Sequence, residues 1–336
     1  MTWTELDWHA LDRLRERFLR GPAGSGPYWE TQDDLGNYDL TFGERIGWKW
    51  DHVLRELRLR GWKPCAEGSR ISALDWGCGS GIAGRRVIQH LGVGNFDALT
   101  VWDHSPLASS FAEEAGRRAF PQLAVAQATP SLLTADTPLG LVVISHVLNE
   151  LSPEASASLR TIIARAQAVI WVEPGTHEVS RQLGRWRDDL RGTFRIVAPC
   201  THELGCPMLA EGNERHWCHF FAPPPAEIFA DSNWVKFGQR AGIDLRSLPY
   251  CFVALQRESA TTLTTGWSHI VGRTEHFKPY ARWLDCSANG LEELELPKRA
   301  DPALFKQLER TKAPLVYSWQ RDGRRVLGGE TLSAGA

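Results

Sequence analysis

Between residues 71 and 175, apolar runs of strand length alternate with stretches whose apolar positions recur every three or four residues. The runs Ser72–Trp76, Ala98–Asp103, Leu123–Ala128, Leu139–Ser145 and Ala168–Glu173 read as strands, and the stretches between them as helices. That alternation predicts a parallel sheet with crossover helices. Upstream, the helical period places Trp8, Leu11, Leu14 and Phe18 on one face, behind a capping box formed by Thr2 and Glu5. A Gly- and Pro-rich loop over 21–30 separates this helix from a second one. The second carries Ile46, Trp50, Val53, Leu54 and Leu57 inward and stops at Gly61. Arg13, Arg17 and Arg20 form a basic stripe on the first helix, which reads as a solvated face. Downstream the period changes. From Trp267 short strands alternate with turns, including Ile270–Arg273, Ala281–Cys286 and Leu291–Leu296 after the Asn289-Gly290 turn, followed by a helix over Pro302–Glu309. The chain thus divides into a helical N-terminal extension (1–70), an α/β domain (71–257) with a cysteine-rich segment at 198–221, and a small β-rich C-terminal module (258–336).

Composition narrows the picture modestly. The 336 residues are 43% hydrophobic and 23% charged, as in an ordinary globular protein. A formal charge of −2 gives no global attraction to nucleic acid or to anionic membrane, so any RNA contact must be local. The clearest basic patch of the tail is Lys298, Arg299, Arg321, Arg324 and Arg325. No apolar run approaches the roughly 20 residues that span a bilayer, so no membrane contact is expected. Asp7, Asp12 and Glu16 interrupt any signal or transit peptide, so a cytoplasmic monomer is expected. In that compartment the seven cysteines are free thiols or metal ligands before they are disulfides.

The first strand ends in Asp75-Trp-Gly77-Cys78-Gly79-Ser80-Gly81. Gly77 permits a tight turn, Gly79 lets a ligand approach the backbone, and Gly81 lets the next helix pack on the sheet. Ile82 stands where a dinucleotide fingerprint would have its third small residue. The acid and the G-x-G-x-G spacing instead resemble the first motif of S-adenosylmethionine (SAM) dependent methyltransferases. That resemblance implies that Asp75 and the loop backbone hold the amino-acid end of SAM. Asp103 ends the second strand, 22 positions after Gly81, where an acid accepts hydrogen bonds from both ribose hydroxyls. Ser145 and His146, followed by Asn149 and Glu150, stand at the carboxyl end of the fourth strand, the ligand-binding edge of such sheets. No motif for methylating exocyclic amines follows that strand, and no catalytic residue is assigned.

Cys200, Cys206 and Cys218 lie within 19 residues among Pro, Gly and polar residues. Soft thiolates in that setting suit zinc or an iron–sulfur cluster. The spacing is not the paired C-x-x-C of a zinc ribbon. His202, His216, His219, Cys251 and Cys286 are all open as a fourth ligand, although Cys251 sits in an apolar strand pattern and reads as a core thiol.

Taken together, Asp75-x-Gly77-x-Gly79-x-Gly81, Ser145-His-Val-Leu-Asn149-Glu150-Leu, Val172-Glu173-Pro174-Gly175-Thr176, Ala198-Pro-Cys200-x-His202, Cys206-Pro207, Trp217-Cys218-His219-Phe220 and Cys286 resemble one family. It is the methyltransferase-like assembly factors of the mitochondrial small ribosomal subunit and their bacterial relatives. The resemblance implies a Rossmann-like class I SAM methyltransferase sheet and a 4Fe–4S cluster on Cys200, Cys206, Cys218 and Cys286. It also implies association with the small ribosomal subunit through its 16S-type rRNA, with rRNA methylation as the reaction if the protein turns over. Thr201 departs from the proline often found there. Two alternatives stand beside this reading. One is a SAM-dependent methyltransferase of a small molecule or protein with a structural zinc; the other is a catalytically inactive RNA-binding scaffold.

Overall fold

The computed structural model describes residues 1–19, 29–257, 266–310 and 314–332. The expectations for Arg20, for most of the 21–30 loop and for the Phe18 side chain lie outside the described residues and side chains. The chain forms two compact units. Unit 1 comprises residues 1–54, 63–172 and 224–248; unit 2 comprises 55–62, 173–223 and 249–336.

Unit 1 opens with α1 (Trp8–Leu19), α2 (Gln32–Tyr38) and α3 (Glu44–Leu59). Helix α1 begins at Trp8 because the Asp7 carboxylate accepts the N–H groups of His9 at 2.8 Å and Ala10 at 3.2 Å. Half of the expected Thr2–Glu5 box is made: Glu5 accepts the Thr2 N–H at 2.8 Å, but the Glu5 N–H goes to the Thr2 carbonyl instead of the hydroxyl, and the pair closes a turn upstream of the helix. The sequence pattern did not mark α2, which carries the capping box of this region, between Thr31 and Asp34. A π-helical turn over Asp39–Gly43 links it to α3. The basic stripe of α1 is engaged, with Arg13 on Asp34 at 3.1 Å and Arg17 on Glu30.

The alternating region follows as β1 (Ile71–Trp76), α4 (Ile82–Leu91), β2 (Phe96–Trp102), α5 (Pro106–Ala119), β3 (Ala124–Gln127), α6 (Pro130–Thr134), β4 (Leu139–Ser145), α7 (Pro153–Arg165) and β5 (Ala166–Pro174). These strands are parallel, in the order β3-β2-β1-β4-β5. Leu141 to Ile144 and Ala168 to Val172 are 0% exposed, which explains why β4 and β5 are continuous apolar runs instead of alternating ones. The strand order reverses between β1 and β4, and the crevice at their carboxyl ends is the place such a sheet offers a ligand.

In unit 2, α8 (His177–Leu190) precedes β6 (Arg195–Ala198) and β7 (Phe220–Ala222). Helix α9 (Ser232–Ala241) belongs to unit 1; β8 (Leu248–Gln256) then pairs antiparallel with β6 and also with β7. The C-terminal strands β9 (Trp267–His276), β10 (Tyr280–Ser287), β11 (Gly290–Pro297), β12 (Val316–Asp322) and β13 (Arg325–Thr331) close into a barrel, with α10 (Pro302–Leu308) between β11 and β12. Leu304, Phe305 and Leu308 of that helix join Trp283, Leu294, Leu296, Tyr317 and Val326 in the barrel core. No helix among the described residues is long and apolar enough to cross a membrane.

Candidate functional site

The glycine loop lies at the switch point of unit 1. The N–H groups of Gly77 and Cys78 both donate to the Trp102 carbonyl, at 2.8 and 2.9 Å, and tie the loop to the end of β2. Gly77, Gly79 and Gly81 all have left-handed backbones, with φ of 70°, 52° and 76°. A Cβ at Gly77 would lie 2.7 Å from Val147 Cγ1, and one at Gly81 would lie 2.8 Å from Ala112 Cβ. At Gly79 a Cβ would meet nothing within 4 Å, so that glycine faces open space. The loop forms one wall of a cavity of about 360 Å³, which Trp29, Tyr38, Trp76, Trp102, Asp103, Ser145, His146 and Glu150 also line.

The two predicted acids occupy different places. Asp103 lines the cavity, where its Oδ2 accepts the Gly79 N–H and its Oδ1 the Ser105 N–H, both at 2.9 Å. It does not cap α5; Ser105 does that through the Ala108 N–H. Asp75 is 0% exposed and stands outside the cavity wall. Its Oδ2 accepts the Gly84 N–H of α4 at 2.9 Å, and burial pushes its pKa up to about 7. Asp75 Oδ1 has no hydrogen-bond partner among the described residues.

Ser145 and His146 meet two residues that sequence reasoning missed as site residues. His146 has φ of 56°. Its Nε2 lies 3.1 Å from Lys49 Nζ, and its Nδ1 lies 3.1 Å from Ser145 Oγ. An ammonium only donates, so Nε2 is the acceptor, Nδ1 carries the proton, and Nδ1–H donates to Ser145. The Trp50 indole N–H donates to the same oxygen at 2.9 Å. Burial, then Lys49 and Arg45, holds His146 well below its ordinary pKa, which keeps the ring neutral. Trp76 and Trp102 stack at 4.9 Å beside this group. Trp76 Nε1 and Ser80 Oγ are buried with no hydrogen-bond partner, and both residues line the cavity. Unsatisfied buried donors suit a ligand that brings acceptors.

In unit 2 the cysteines feel one another. Burial, then Cys200, Cys206, Cys286 and Cys251, pushes the Cys218 thiol well up. Burial, then Cys200 and Cys206, does the same to Cys286. Burial and Cys200 raise Cys206 to about 11. Even so, no group of three His, Cys, Asp or Glu among the described residues is arranged to hold a metal ion, and the cysteine-rich segment is not shown to be a metal site.

Three arginines hold the segment that bears Cys200, Cys206 and Cys218. Arg60 donates to the carbonyls of Val197, Pro199 and Cys200. Arg187 donates to those of His202 and Leu204, and Arg181 to those of Met208, Asn213 and His216. Asp188 accepts the Cys206 N–H. Burial works against the Arg187 charge, but Cys200, Asp188 and Cys206 outweigh it and keep the guanidinium firmly cationic. Glu56 anchors Arg60 at 2.7 Å and also meets His269 Nε2 at 3.2 Å. Burial would raise the Glu56 carboxyl, but His269 and Arg60 hold it at about 2.

Arg187 Nε, Thr201 Oγ1 and His202 Nε2 are buried without hydrogen-bond partners. His202 Nδ1 accepts the Leu204 N–H, so the proton of the neutral ring sits on Nε2. All three orphans are therefore N–H or O–H donors; the Arg187 guanidinium is the one that feels Cys200 and Cys206, while Thr201 and His202 line a separate cavity with Asp285, Trp319 and Arg321.

The fold is a Rossmann-like α/β sheet with a cavity at its switch point. The chain matches the family described as mitochondrial small ribosomal subunit Rsm22 over residues 64–307, and it belongs to that family. No curated protein matches the chain significantly. Among solved structures it is similar to the N-methyltransferase NodS from Bradyrhizobium japonicum WM9, with 14% identity over 74% of this chain and 100% of that one and a TM-score of 0.39. It is similar also to the magnesium protoporphyrin IX methyltransferase ChlM from Synechocystis PCC 6803, with 13% identity over 75% and 95% and a TM-score of 0.39. A third is the ribosomal protein L11 methylase from Lactobacillus delbrueckii subsp. bulgaricus, with 15% identity over 61% and 78% and a TM-score of 0.33. Nothing about ligand or reaction follows from likenesses at this level.

Proposed function

We propose that this chain binds SAM in the cavity of unit 1, carries a 4Fe–4S cluster on Cys200, Cys206, Cys218 and Cys286, and acts in the cytoplasm on the small ribosomal subunit through 16S-type rRNA. Membership of the ribosomal family carries the partner. The cavity at the glycine loop, with Asp103 on its wall, carries the cofactor.

SAM supplies an activated methyl group, so the residues around it mainly bind and align. Asp103 accepts the ribose hydroxyls beside its bond to Gly79. Gly79 leaves room for the ligand, and Gly77 and Gly81 set the turn. Asp75 acts from behind the loop by fixing the first turn of α4, a positioning role in place of a direct contact with the amino-acid end. Ser145 and His146 present a neutral polar edge. The neutral ring, with Nε2 already accepting from Lys49, adds a binding contact, and no residue here is assigned to turnover.

A 4Fe–4S cluster supplies a cross-link and a one-electron centre. Cys200, Cys206, Cys218 and Cys286 would hold it as thiolates. Arg187, whose guanidinium feels Cys200 and Cys206, would offset the charge of such a cluster.

Anaerobic purification tests the cluster: iron and acid-labile sulfide should accompany the chain, and stoichiometric zinc from iron-replete cells would reject it. Calorimetry with SAM tests the cavity, and Asp103→Ala should abolish the heat. Sedimentation with small-subunit particles tests the partner.

A further inference from the structure

The barrel of unit 2 has a distinctive connectivity. Counting β9 to β13 as first to fifth, the strands lie in the order first-second-third-fifth-fourth and close back on the first. The third and fifth run parallel, with Glu295 opposite Arg325. Helix α10 lies between the third and fourth, and its apolar side fills the core. The first strand contains Gly272 at φ of 74°, and the pairing of the first two strands shifts register at this level. This is the connectivity of the Greek-key barrels that bind oligonucleotides and oligosaccharides across their second and third strands, between the first–second and fourth–fifth loops. Fold alone assigns no function, so the side chains at that place decide.

In the first–second loop Phe277 is 40% exposed and stacks on Tyr280 at 4.7 Å with an interplanar angle of 24°. The Arg282 guanidinium stands 5.4 Å from the same ring. Lys278 belongs to this loop, and the Lys298 N–H joins it by donating to the Pro279 carbonyl at 2.9 Å. The fourth–fifth turn brings Arg324 and Arg325 beside the third strand, where the Arg324 carbonyl accepts the Glu295 N–H at 3.0 Å. In the ladder, Glu295 lies between Arg282 and Arg325. The acids of this face are largely engaged, Glu275 and Glu293 by Arg282 and Glu292 by Arg321. Among the described residues no carboxylate pairs with Lys278, Lys298, Arg324 or Arg325. The spare charge is net positive, four cations against Glu295, in and beside the loops that carry exposed Phe277 and half-buried Tyr280. Those two features together match a phosphodiester chain whose bases are free to stack, which a duplex does not offer.

We infer that the barrel is a binding site for single-stranded RNA, with Phe277 and Tyr280 as the base-stacking platform and Lys278, Lys298, Arg324 and Arg325 as the phosphate contacts. The inference gives the ribosomal reading a physical point of contact and requires neither cofactor nor cluster.

Fluorescence anisotropy of the full chain with a labelled, unstructured RNA of about 12 nucleotides tests it. Binding should weaken steeply between about 50 and 200 mM salt. Replacing both Arg324 and Arg325 by Ala should weaken binding and lower the slope of log affinity against log salt by roughly 1.4. Phe277→Ala, at an exposed position, should cost roughly tenfold and leave the slope unchanged. Absence of saturable binding, or variants that bind as the parent chain does, would overturn the barrel site. Association with small-subunit particles without single-strand binding would overturn it and leave the ribosomal reading standing. Single-strand binding without particle association would do the reverse.

Discussion

The glycine loop of unit 1 and the cysteine segment of unit 2 are both short of regular structure, yet they are held by opposite means. In the loop, left-handed glycines turn the chain so that backbone N–H groups find the Trp102 carbonyl at the end of a neighbouring strand. In the segment, the carbonyls of eight residues between Val197 and His216 receive guanidinium N–H groups from three arginines. Buried backbone acceptors must be satisfied in either case. A loop fixed by its own conformation is sensitive to any added side chain. A loop fixed by distant side chains is sensitive to the loss of a donor.

The largest test of that contrast is Arg60→Met. It leaves Glu56 as a buried charge and strips three carbonyls of their donor, and urea denaturation should show a loss of about 3–5 kcal/mol. Next comes acidity, where two carboxylates act with opposite sign. Glu56 is depressed to about 2 in the fold, so its contribution is complete above its unfolded value and is lost as pH falls toward 2. Asp75 is raised to about 7, so its cost grows as pH rises from about 4 to 7. Asp75→Asn keeps an acceptor for the Gly84 N–H and should remove a pH-dependent penalty on the order of 4 kcal/mol at most; denaturation midpoints at both ends of that window measure it. Within the loop, Gly81→Ala meets Ala112 in addition to the backbone penalty and should cost about 2–4 kcal/mol. Gly79→Ala meets only the backbone penalty and should cost about 1 kcal/mol, with thermal melts separating the two. On a different readout, Arg187→Gln should cost roughly tenfold in retention of iron under chelator challenge. Unchanged iron would place the guanidinium outside the influence of the proposed cluster.

Much of unit 1 is readable from the chain because its instructions are local. Ile71 to Trp76 and Leu139 to Ser145 are apolar over strand length, and three alternate glycines mark the turn between β1 and α4. Helix α9 had local signals too, an Asp231 cap and a left-handed Gly242 at its end, but the prolines at 223–225 masked them. Strands β12 and β13 are thick with charge from Gln320 to Arg325, which conceals their alternation. The site itself was harder to read. Trp50 has the helical spacing of a core residue and is 0% exposed, but its indole N–H reaches Ser145, 95 positions away. Arg60 reaches Cys200 across 140 positions. No period or spacing encodes contacts of that range, because packing creates them.

At position 146 the main chain and the ring ask for different amino acids. A φ of 56° would suit glycine or asparagine, while the imidazole spans the distance to accept from Lys49 and donate to Ser145 at once. A saturation library at this codon should therefore return two rankings, glycine and asparagine leading when survivors are sorted by folding, histidine when they are sorted by ligand capture. Where those orders part company, the residue has been kept for its chemistry against the preference of its own backbone.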